Sequence, residues 1–256
     1  MGTGCRRAIL FLLFSPLFGT GFAQTETPVK VDKPLKSYSH WYFGAEYGVP
    51  FLFGDFTSFS ADKNYVGSQF GGFAGYQVNS WIGIEASART GYTRMGAKSY
   101  AGDYLMNADG MTYYTNQDFN TWKYKDVFSK VHFTNIGLQM NLNVNNFFGP
   151  NRGNRRWTVL LSPAVYAQHF STELINKADK SPLSGKKTDK WNIGIGGDVS
   201  LRYKISRAFD VQLRTGIIWV NNNKMDGIST LIKSKDHFMT SAGLSLIWKV
   251  GKKKED

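Results

Sequence analysis

Cysteine is almost absent from this 256-residue chain: Cys5 is the only one. One thiol can neither close an internal disulfide nor build a thiolate metal site, so the fold must stand on packing and hydrogen bonds. Long apolar runs are missing as well. Past residue 23 no stretch approaches the ~18 consecutive apolar residues of a membrane-crossing helix. If the chain enters a bilayer it must do so as a closed β-barrel, because hydrocarbon tolerates no unpaired strand edge. Acidic residues are outnumbered by basic ones, 19 to 31, for a formal net charge of +12. Of the four histidines (His40, His132, His169 and His237), none stands at metal-ligand spacing from a partner. The sequence therefore calls for no metal and no cofactor.

The first 23 residues read as an export signal. Arg6 and Arg7 precede the apolar run Ala8 to Phe18, broken at Pro16, and Gly21-Phe22-Ala23 offers small residues for cleavage before Gln24. A lipid-anchored chain needs its cysteine just after such a run, whereas Cys5 lies before it. Removing residues 1–23 takes away two arginines and no acid, leaving 233 residues and a charge of +10. That length suits one barrel or one large β domain. Residues 24–40 are polar, with Pro28 and Pro34, and read as a flexible leader.

Period-2 alternation dominates what remains. Between Trp191 and Tyr203 one parity reads Trp191, Ile193, Ile195, Gly197, Val199, Leu201, Tyr203, and the other reads Asn192, Gly194, Gly196, Asp198, Ser200, Arg202. Past Ser206-Arg207 the split repeats, with Phe209, Val211, Leu213, Thr215, Ile217 and Trp219 against Asp210, Gln212, Arg214 and Gly216. Alternation of this length means strands with two chemically opposite faces. An apolar face with aromatic ends and a glycine-rich ionic face fit lipid outside and a narrow polar lumen inside.

Eight such segments are expected, near 41–49, 68–78, 81–92, 130–144, 157–169, 191–205, 209–219 and 237–248. Each meets the ~9–11 residues a tilted strand needs to span a bilayer. Their connections alternate between tight or medium (Asn79-Ser80 and Ser206-Arg207 tight, Asn145 to Arg156 medium) and long (50–67, 95–129, 170–190, 220–236). Short turns on one side and long loops on the other are the asymmetry of an outer-membrane barrel. Trp41, Trp81, Trp157 and Trp248 fall at the short-turn rim, and Trp191 and Trp219 at the long-loop rim, as two aromatic girdles require. Trp122, within the longest loop, is the exception.

The units GFAGYQVNSWIGIEA (Gly72–Ala86), LRYKISRAFDVQLRTG (Leu201–Gly216) and the final FMTSAGLSLIWKV carry a family likeness. The chain resembles the small eight-stranded outer-membrane β-barrel domain family, porin-like and OmpA/OmpX-like. The resemblance covers residues 41–250 and implies an all-β, eight-stranded antiparallel up-and-down barrel in the outer membrane of a Gram-negative envelope. It also implies a periplasmic leader at 24–40, insertion by the barrel assembly machinery, and contact with outer-membrane lipid and lipopolysaccharide. Such barrels often end on an aromatic residue; here Trp248 is followed by Lys249 and a basic tail at 251–256.

Charged residues on the lumen parity are Glu46, Glu85, Arg89, Asp198, Arg202, Asp210 and Arg214, with Lys204 nearby. A turn centred on Ser206 pairs Asp198 with Arg214 and Arg202 with Asp210; one centred on Arg207 pairs Lys204 with Asp210. In either register these ions are expected to form a paired polar plug, with a proton or ion pathway as the alternative, since an eight-stranded interior is only wide enough for side chains. A soluble lipocalin-like barrel, apolar face inward, is the structural rival, disfavoured by the glycines at 83, 91, 137, 194, 196, 216 and 243 on the charged face.

His169 and Ser171 share the lipid-facing parity with Asp189, a spacing that resembles the His-x-Ser and acid of outer-membrane lipid A deacylases, although the surrounding residues do not match. The loop Tyr100–Asp126, rich in Tyr, Asn and Asp, reads as a contact surface for a protein or glycan. Lys177, Lys180, Lys186, Lys187 and Lys190 offer positive charge to lipopolysaccharide phosphates. No role with nucleic acid is expected. The expected function is structural or interactive rather than enzymatic, with a small pore or transport accessory as the alternative and lipid modification as a third reading.

Overall fold

The computed structural model describes residues 40–98, 104–113, 121–146, 155–183, 187–221, 224–230 and 237–250. The expected export signal, the leader up to residue 39 and the tail at 251–256 lie outside these residues. So do Lys186 and parts of the loop from Tyr100.

Alternating side chains make twelve strands among the described residues. They are β1 (His40–Phe53), β2 (Ser68–Gln77), β3 (Ile82–Gly96), β4 (Leu105–Met106), β5 (Met111–Tyr113), β6 (Trp122–Lys123), β7 (Val127–Asn143), β8 (Trp157–Asn176), β9 (Thr188–Lys204), β10 (Phe209–Val220), β11 (Ser229–Thr230) and β12 (His237–Val250). The eight long ones close a barrel in the order β1-β12-β10-β9-β8-β7-β3-β2, each pair antiparallel. Pairing of Trp41 with Val250 through Phe53 with Phe238 joins the first long strand to the last, so the barrel presents no free edge. The short turns are held locally. Asn79 Oδ1 accepts the N–H groups of Trp81 and Ile82, and Ser206 Oγ accepts those of Ala208 and Phe209.

The eight expected segments match the eight barrel strands, and the differences lie at the long-loop rim. There β1 runs on to Phe53, β3 to Gly96 and β8 to Asn176, while β7 starts at Val127 and β9 at Thr188. The outward residues of these extensions include Arg94, Glu173 and Asp189. They face water rather than lipid, so the apolar alternation stops while the hydrogen-bonded ladder continues.

Orientation is unambiguous within the lipid-facing band. Ile193, Leu213 and Leu244 point outward, Ile193 with 76% of its surface exposed, whereas Asp198 and Arg214 are 1% and 2% exposed inside. The inward-apolar rival is thereby excluded for this zone. Glycine creates room for the crowded interior. A Cβ on Gly75 would overlap the Tyr42 ring, and one on Gly216 would overlap Asp198 Oδ1.

Above the outer rim the interior changes character. Leu52, Met95, Val127, Val131, Phe133, Phe170, Leu174, Val220 and Met239 from the strands join Phe56, Met106, Tyr124, Met225 and Ile228 from the loops in one buried apolar cluster. A small sheet in the order β11-β5-β4-β6 lies in these loops. The polar plug expected throughout the lumen is therefore confined to the membrane zone, and an apolar bowl surmounts it.

Candidate functional site

Four side-chain groupings stand out, and the first is the ion cluster inside the barrel. Arg214 on β10 reaches Glu85 on β3 at 2.7 Å, Glu46 on β1 at 3.5 Å and Asp198 on β9 at 3.8 Å. Arg89 on β3 reaches Asp198 at 3.2 Å and Glu46 at 3.3 Å. β3 and β10 are diametrically opposed in the barrel order, so the Arg214–Glu85 contact crosses the lumen. Glu85 also accepts from the Tyr42 hydroxyl, Gln139 and Asn141, each at 3.1 Å. Charge-assisted bonds in this density rigidify the interior and block it with side chains.

Two expected members of that network lie elsewhere. The turn adopts the Arg207-centred register, which pairs Lys204 with Asp210 and places Asp198 opposite Gly216. Arg202 donates to Gln212 at 2.8 Å, and its guanidinium stacks over the Tyr42 ring at 5.1 Å. Asp210 is bound by Lys249 at 2.7 Å. Both Arg202 and Asp210 line a cavity of about 200 Å³ at the short-turn end, together with Arg155, Lys204 and Lys249. They sit nearer the rim than the central ions, so they serve the mouth and not the plug.

The second grouping is the outer belt. Trp41, Trp81, Trp157, Trp191, Trp219 and Trp248 all expose a large part of their rings. Trp41 packs on Tyr76 and Trp157 on Tyr203, with ring centroids 5.1 and 4.5 Å apart. Phe209 and Trp219 mark the two rims of β10. Ten residues at ~3.4 Å each, tilted by about 40°, separate them by about 26 Å, the height of an outer-membrane apolar band. Trp122, absent from either girdle, packs against the apolar bowl.

The third is the outward group on β8 and β9. His169 Nε2 contacts Asp189 Oδ1, Ser171 stands opposite Asp189 in the ladder, and the Trp191 ring lies tilted beside the imidazole at 5.0 Å. The three residues singled out in the sequence thus share one outer face. In the loops, Lys177 is tied to Asp62 at 2.7 Å, and within the described residues of the Tyr100–Asp126 segment Met106 and Tyr124 are buried.

The fourth grouping was invisible to sequence spacing. Asp55, Asp226 and His237 bring one ligand-type atom each to within 4.8 Å of one another. Asp226 is fully buried; its carboxylate accepts the Phe56 N–H at 2.9 Å and the Ile228 N–H at 3.0 Å, and its Oδ2 lies 3.6 Å from His237 Nε2. Burial pushes its carboxyl pKa up to about 6, with backbone N–H groups pulling the other way.

No family model matches the chain, and no curated protein matches it in sequence. Among solved structures, Neisserial surface protein A is 11% identical over 82% of this chain and 97% of its own, with a TM-score of 0.44. Ail, the attachment invasion locus protein of Yersinia pestis, is 10% identical over 84% and 100%, with a TM-score of 0.44. A major outer membrane protein from Thermus thermophilus is 12% identical over 82% and 99%, with a TM-score of 0.47. At such identities and scores nothing of those proteins' roles carries over. The chain itself forms a closed eight-stranded antiparallel barrel with an apolar belt between aromatic rims and an ion-filled lumen, the build of a barrel that spans a bilayer.

Proposed function

We propose that the chain is a non-enzymatic envelope protein whose barrel anchors it in the outer membrane and whose outer bowl presents a contact surface to a protein, glycan or lipopolysaccharide partner. The observation that carries this reading is the Arg214–Glu85 bridge across the lumen. A barrel whose centre is crossed by ion pairs is built for rigidity, and solute passage would require them to part. The loops meanwhile fold around their own apolar core, and such order is what a specific surface needs. Planar-bilayer recording on the purified barrel tests it. No stable conductance is expected. A reproducible channel would favour the small pore or transport accessory instead.

One observation favours a second reading, lipid modification: the contact of His169 with Asp189, with Ser171 on the same lipid-facing surface. A base oriented by an acid beside a hydroxyl is the arrangement of nucleophilic acyl transfer. Against it, the backbone here is engaged in an unbroken β8–β9 ladder, which leaves no obvious pair of N–H donors for an oxyanion. Incubation with lipid A decides: acyl release that disappears in Ser171→Ala would establish the enzyme, and no release leaves the contact role.

A further inference from the structure

We propose that Asp55, Asp226 and His237 form a binding site for a divalent transition cation of the zinc class, set in the outer bowl. The donors come from three segments: the turn after β1, the connection between β10 and β12, and the first residue of β12. Ligand bonds of ~2.0–2.1 Å in a tetrahedral site place neighbouring donor atoms about 3.4 Å apart. Asp226 Oδ2 and His237 Nε2, at 3.6 Å, stand close to that separation, and the third donor lies within 4.8 Å. An inward shift of some tenths of an ångström per atom completes the geometry.

The donor chemistry points the same way. Two carboxylates and one imidazole converge where Asp226 and His237 are wholly buried, the oxygen-and-nitrogen donor types that hold zinc. An imidazole in the donor set favours zinc and its transition-metal neighbours over calcium and magnesium, which take oxygen ligands. The bonds from the Phe56 and Ile228 N–H groups fix the Asp226 carboxylate, as outer-shell partners of metal ligands do.

Glycine keeps the space open. A Cβ on Gly54 would lie 2.7 Å from His237 Nε2 and 2.8 Å from Asp226 Oδ2. Three protein donors leave a fourth position for water or for an incoming donor atom, and the ion would staple three segments of the bowl together. The site stands whether or not the bowl has a partner.

The test uses the full barrel in detergent, stripped with a chelator, loaded with Zn²⁺ or Co²⁺ and freed of excess ion. Wild type is expected to retain one equivalent, and bound Co²⁺ to show the intense visible bands of a low-coordinate site. His237→Gln and Asp55→Asn should each weaken retention by more than the ~10–100-fold that loss of an outer-shell partner costs. Gly54→Ala should do the same while keeping every ligand. Heat-modifiable gel mobility certifies that each variant is folded; if Asp226→Asn fails to fold, the other three decide. Wild type holding no more metal than these variants, or a Co²⁺ spectrum like that of the free hydrated ion, overturns the proposal.

Discussion

Removing Arg214 is the sharpest perturbation the interior offers. Its guanidinium serves Glu85 at 2.7 Å, Glu46 at 3.5 Å and Asp198 at 3.8 Å, and it also lies 4.8 Å from the Phe73 ring centroid. Arg214→Met keeps most of the packing volume and takes away the charge. Three buried carboxylates would then share Arg89, which touches Glu46 and Asp198 but is not paired with Glu85. Glu85 would keep Tyr42, Gln139 and Asn141 as neutral donors. Breaking a buried pair from one side typically costs about 3–5 kcal/mol, and the neutral donors place the expected loss near the lower end. Glu85→Gln in the same chain removes the uncompensated charge, so the double variant should recover most of the loss. Urea unfolding in lipid vesicles, followed by tryptophan fluorescence, measures all three variants. A loss below about 1 kcal/mol for Arg214→Met, the size of a surface pair, would refute the reasoning, and so would strict additivity in the double variant.

Two further outcomes follow from the same geometry. Leu213, near the middle of β10 and facing lipid, should cost about 2–4 kcal/mol when changed to Arg in vesicles; a neutral result in the same unfolding assay would contradict the lipid-facing belt. Gly216→Ala should cost about 1–3 kcal/mol, because its Cβ would displace Asp198 Oδ1 and pull that carboxylate from Arg89; unchanged stability would mean the interior is looser than the contacts indicate.

Strand faces were legible in the sequence because lipid imposes a simple rule on every second residue. Ile193, Leu213 and Leu244 declare the outside without knowledge of any partner. Pairing between adjacent strands was legible only up to a choice of register, and the Ser206 turn shows why: shifting its centre by one residue trades Arg202–Asp210 for Lys204–Asp210. Contacts across the lumen were beyond reach. Arg89 meets Asp198 although β3 and β9 are not neighbours, and no spacing rule links residues on opposite walls. Asp55, Asp226 and His237 were hidden for a related reason, since their closeness depends on barrel closure joining β12 to β1.

The bowl eluded the pattern because its physics is the reverse of the plug's. Between the rims the outside touches hydrocarbon, so burying apolar groups inside gains little and polar contacts can fill the lumen. Above the outer rim the outside touches water, and the hydrophobic effect again favours an apolar interior. The same strand therefore changes strategy along its length. On β7, Val127, Val131 and Phe133 enter the apolar cluster, whereas Asn135, Gln139 and Asn141, on the same inward face, join the polar interior. Phe133→Ala should leave a cavity and cost about 3–5 kcal/mol. Leu138→Ala, half exposed on the lipid side of the same strand, loses transfer energy but opens no cavity, because lipid refills the space; about 1–2 kcal/mol is expected. Equal costs for the two, measured by unfolding in the same vesicles, would show that the interior does not change character at the rim.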